Sequence, residues 1–122
     1  MGIRNAFDPV DPKSLGTPVY TTVQASLFNR LRKSHGKNAG NLAWLLVRLA
    51  QPDHREHDEA CQMILARDTA ALAALSASVG EARTAARTDA ARDMFATIVE
   101  SLDFARDSAR NRERETKKAS KL

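Results

Sequence analysis

The chain has 122 residues, 43% hydrophobic and 28% charged, with a formal net charge of +4. That length suits one domain, and no apolar run approaches the roughly 20 residues that span a bilayer. Cys61 is the only cysteine, so an internal disulfide is excluded and a reducing compartment, the cytoplasm, is expected.

Aromatic residues are only 5% of the chain, and much of the apolar content is alanine, which contributes little when buried. A thin core supported by oligomerisation or a partner is expected. The charge is unevenly placed. Residues 13–52 hold Lys13, Arg30, Arg32, Lys33, Lys37 and Arg48 with no acid, residues 53–109 are acidic, and residues 110–122 are basic again. Such a layout suggests an oriented molecule with a cationic side.

Residues 1–17 read as an irregular arm, because Asp8-Pro9, Asp11-Pro12, Gly16 and Thr17-Pro18 all break regular structure. They hold no signal-peptide pattern. Ala6 stands where a myristoylation signal after Gly2 needs Ser or Thr. The run Val19-Tyr20-Thr21-Thr22-Val23-Gln24 alternates β-branched and polar residues and predicts one short strand. Ser26 is a candidate N-cap for a helix over 27–36, which Gly36, Asn38 and Gly40 end. Asn41 then caps a second helix over 42–50, apolar on nearly every side except at Arg48 and stopped by Pro52. Trp44, inside this run, is expected in the core.

A third helix is predicted from about Asp53 to Ser78, with Cys61, Ile64, Leu65, Leu72, Leu75 and Val79 on one face. Gly80 marks its end. A fourth runs from about Glu81 toward residue 115, with the seam Phe95, Ile98, Leu102, Ala105 and Ala109 and a possible split at Thr88. The expected fold is therefore mainly α, one short N-terminal strand and about four helices, the last two long. The expected organisation is an arm at 1–17, a head at 18–52, a helical hairpin at 53–109 and a solvated basic tail at 110–122.

A lone strand leaves backbone groups unpaired unless a second copy supplies a partner. Strand, short link, helix, Gly-containing turn, polar cap and apolar second helix follow in order over residues 18–50, and this order resembles the ribbon-helix-helix family. The resemblance implies a homodimer whose paired strands enter the DNA major groove. Val19, Thr21 and Val23 would face the core, and Tyr20, Thr22 and Gln24 the bases. Arg30, Arg32, Lys33 and Lys37 would bind phosphates, together with Asn41 at the start of the second helix. With a long helical region behind it, the layout is similar to that of the accessory proteins of conjugative relaxosomes. This implies sequence-specific duplex binding, there or as a repressor.

The size and basic, helical character are also similar to the small subunits of CRISPR effector complexes. That likeness implies a subunit of a larger nucleoprotein complex, touching RNA or single strands. A helical adaptor or inhibitor that binds protein through the acidic block is a third reading.

No motif argues for an enzyme or a cofactor. His54, His57 and Asp58 have a spacing that suits a metal but lack a further ligand, and solvated helix-start residues are the simpler reading. Arg48 and His54 are similar in spacing to the Arg–His motif of a helical ribonuclease family, but Pro52 between them breaks the helix that motif needs. The closing Ser120-Lys121-Leu122 matches a peroxisomal address, which has meaning only in a eukaryote.

Overall fold

The computed structural model describes residues 18–120; the N-terminal arm and the end of the Ser-Lys-Leu triplet lie outside them. The elements are α1 (Pro18–His35), a 3₁₀ turn (Gly36–Asn38), α2 (Ala39–Leu49), α3 (His57–Leu65), α4 (Thr69–Ala85) and α5 (Asp89–Ser120).

The predicted strand is helix. Residues 19–24 form the start of α1, and no strand occurs among the described residues. Pro18 opens the helix, where a missing N–H costs nothing and a fixed φ helps. Val23, Leu27 and Leu31 then recur at i, i+4 and i+8 and are all fully buried. Burying that stripe outweighs the local β preference of Val and Thr, which spans only about 1 kcal/mol per residue. The ribbon-helix-helix head falls with the strand, as does the reason it gave for a second copy.

Other boundaries shift too. Ser26 lies inside α1, and Asn41 is the third residue of α2 rather than its cap. Gly36 makes the turn between them, with φ at +54°, a left-handed conformation that glycine adopts without strain. The predicted helix from Asp53 to Ser78 is two helices. Asp68 separates them, its Oδ1 accepting the Ala71 N–H at 2.8 Å as the N-cap of α4. Gly80 does not end a helix but lies inside α4. The break comes instead at Ala86–Thr88, where the Thr88 hydroxyl accepts the Ala91 N–H at 3.1 Å. The predicted basic tail continues α5 in helical form through Ser120.

α1 and α2 form an antiparallel hairpin, since Gln24 of α1 meets Arg48 of α2 and Phe28 lies beside Gly40. α4 and α5 form a second, closed by Ser76 to Asp103 at 3.3 Å and by Glu113 accepting from the Thr69 N–H and hydroxyl at 3.1 and 2.9 Å. Leu72, Leu75, Val79 and Ala82 on α4 face Phe95, Ile98, Leu102, Ala105 and Ala109 on α5, all buried. Both rows alternate three- and four-residue steps, the spacing that interlocks near-parallel helices. α1 packs on α4 and α5, and α3 joins α2 to α5. One core thus runs across the boundary at residues 52 and 53.

Asp68→Ala removes the cap between α3 and α4 and is expected to destabilise the fold by about 1 kcal/mol, read as a lower urea midpoint with an unchanged slope.

Candidate nucleic-acid interface

The C-terminal half of α1 and the turn behind it carry Arg30, Arg32, Lys33 and Lys37. Arg32, Lys33 and Lys37 are exposed, and no carboxylate among the described residues pairs with them. Asn29 on α1 and Asn41 on α2 are also exposed. Arg30 differs: Glu81 reaches across from α4 to within 3.5 Å of it. The stretch without acids in the sequence therefore receives one in space. Exposed pairs of this kind hold weakly.

The residues predicted to touch bases do not form one exposed row. At 100° per residue, Tyr20 and Gln24, four apart, lie on the inward side of α1, and Thr22 points away from both. Tyr20 packs half-buried against the core, Thr22 is exposed, and Gln24 accepts a hydrogen bond from Arg48.

Arg48 is 7% exposed. Its guanidinium donates to Gln51 and, at 3.2 Å, to Gln24, while lying 5.0 Å from the centre of the Trp44 ring. Its Nε is buried without a partner. Burial lowers its pKa, and Glu56 and Tyr20 act in the opposite direction; an arginine so placed stays charged. Arg48 thus ties α1, α2 and the following turn together. Trp44 is half-buried against the core.

The two histidines of the turn serve it structurally. His57 donates through Nδ1 to the Arg48 carbonyl at 2.8 Å, and its Nε2 lies 3.5 Å from the Cys61 sulfur. His54 accepts the Glu56 N–H at 3.0 Å through Nδ1. Among the described residues, no group of three His, Cys, Asp or Glu side chains could hold a metal ion. Burial, then Asp58, pushes the Cys61 thiol up from its ordinary range, which leaves it protonated and poorly nucleophilic at neutral pH.

His54 is pushed below the usual histidine range, first by burial and then by Arg48. Between that lowered value and about 6.5, the unfolded chain holds more protons on His54 than the folded one. Folding therefore loses stability as pH falls through this window and keeps it above. The ring resonances of His54, followed by NMR, should titrate below pH 6.5, and His54→Asn should flatten the stability profile there.

Among the hollows that the described residues line, three stand out. One, of about 360 Å³, lies among Ser26, Asn29, Arg30, Lys33 and Glu81. An apolar one, of about 290 Å³, lies between Leu49, Cys61, Ile64 and Leu65 on one side and Glu100 and Phe104 on the other; Phe104 is 68% exposed. The third, of about 500 Å³, sits where the α1–α2 turn meets α3. Leu42, Trp44, Leu45 and Met63 form its apolar lining, and His35, Asn38, Asn41 and Arg67 its polar one. This third hollow escaped the sequence reading. Its one signal there is the spacing of Asn38, Asn41 and Trp44, three residues apart on one helical side.

Comparison with family models, with curated proteins and with solved structures finds no match for this chain. No helix among the described residues is long and apolar enough to cross a membrane.

Proposed function

We propose that this chain is a helical nucleic-acid-binding module that grips the sugar–phosphate backbone through the C-terminal half of α1 and the α1–α2 turn. The observation that carries this reading is the set of exposed cations at Arg32, Lys33 and Lys37, which no carboxylate among the described residues pairs. Phosphates neutralised by such side chains release counterions, which supplies affinity without reading sequence. Arg32 and Lys33 extend from α1 and Lys37 from the turn after it, while Glu81 lies within 3.5 Å of Arg30.

On α5, Asp103 and Asp107 are paired with Arg106 and Arg110 at 3.3 and 3.7 Å, so that surface lacks the exposed, unpaired cations that α1 and its turn offer a phosphate. A module of this kind suits a larger nucleoprotein assembly, in which other subunits supply specificity.

Fluorescence anisotropy with a labelled 20-nucleotide single strand tests the proposal. Binding should weaken steeply between 50 and 200 mM salt, as phosphate contacts require. Absence of binding at 50 mM salt would remove the reading.

A further inference from the structure

The hollow of about 500 Å³ between α2 and α3 adjoins the cationic turn, since Lys37 lies in the chain between two of its lining residues, His35 and Asn38. Its size falls within the ~300–1,000 Å³ of small-ligand pockets. Unlike the other two hollows, its lining includes no carboxylate. Arg67 is its one arginine, and the Arg67 Nε is buried without a hydrogen-bond partner. Asn38 occupies the N-cap position of α2, yet its side chain makes no capping bond. Asn41 is exposed. Both carboxamides are thus available to a ligand, each offering a donor and an acceptor. Trp44 adds a flat apolar surface, and Met63 is 50% exposed beside it.

We infer that this hollow takes an unpaired nucleobase, so that the module prefers single-stranded nucleic acid. The inference rests on the backbone-binding reading above. Lys37, with Arg32 and Lys33, would hold phosphates while the base between them turns inward. The base packs against Trp44, its edge meets Asn38 and Asn41, and Arg67 faces the polar side of the site. A duplex keeps its bases stacked and paired and offers nothing to this hollow. Aromatic stacking tolerates every base, whereas the two carboxamides can add preference among bases.

The test compares three labelled probes of twelve nucleotides at 100 mM salt: oligothymidine, an abasic strand of equal phosphate number, and a duplex. The full chain should bind oligothymidine at least about tenfold tighter than the abasic strand, as one stacked base allows. Trp44 is the only tryptophan, so its fluorescence reports the site directly. It should change with oligothymidine and stay unmoved with the abasic strand. Asn41→Ala, an exposed change that leaves the core alone, should narrow the ratio of the two affinities.

Equal binding of the two strands with unchanged tryptophan emission would overturn the nucleobase site and leave the backbone-binding reading standing. Preference for the duplex would do the same. Failure of all three probes to bind would overturn both.

Discussion

Replacing Arg32, Lys33 and Lys37 together by alanine is expected to lower affinity for a 20-nucleotide single strand by roughly 100-fold at 0.1 M salt. Each lost phosphate contact takes about 0.7 from the slope of log affinity against log salt on single strands, so the slope should fall by about 2. The thermal midpoint should hold, because all three side chains are exposed and none is paired among the described residues. The slope change is the diagnostic part. A triple variant with weaker binding but the parent slope would show that the cations act through structure, and an unchanged affinity would move the interface elsewhere.

Phe95→Ala should have the largest effect on stability, a loss of about 3–5 kcal/mol. Phe95 is 2% exposed, the bulkiest fully enclosed side chain near the start of α5, and lies in the seam facing α4. Truncation leaves a cavity in a seam closed on the α4 side by Leu72, Leu75, Val79 and Ala82, and such cavities collapse only partly. Differential scanning calorimetry should show the midpoint fall by on the order of 10–20 °C. Phe95→Leu, which keeps most of the volume, should recover more than half of the loss.

The seam of α5 is legible from residue types alone, because Phe95, Ile98, Leu102, Ala105 and Ala109 repeat at helical steps over four turns. The opening of α1 is not. Six residues from Val19 to Gln24 make fewer than two helical turns, so a two-residue alternation and a helical stripe fit them equally well. The stripe becomes decisive only with Leu27 and Leu31, which continue it from Val23. Asp68 interrupts an apolar face in the sequence, and its true part, capping α4, depends on a change of chain direction.

Gly80 suggests a stop but costs only about 1 kcal/mol within a helix, which the burial of Val79 and Ala82 on either side offsets. Of the candidate site, the cations were visible in the charge pattern. The Arg48 tie and the hollow beside Trp44 were not, because each joins residues from separate helices. Gln24 reaches Arg48 across one hairpin, and Met63 and Arg67 meet Trp44 across the reversal that follows Pro52.

The most direct measurement is an amide NMR map of the labelled protein titrated with oligothymidine. Shifts should gather at residues 29–41 and around Trp44 and Arg67, with the α5 surface bearing Glu100, Asp103 and Phe104 unmoved. Shifts centred on that α5 surface, or none at saturating oligonucleotide, would contradict the cationic edge as the site of binding.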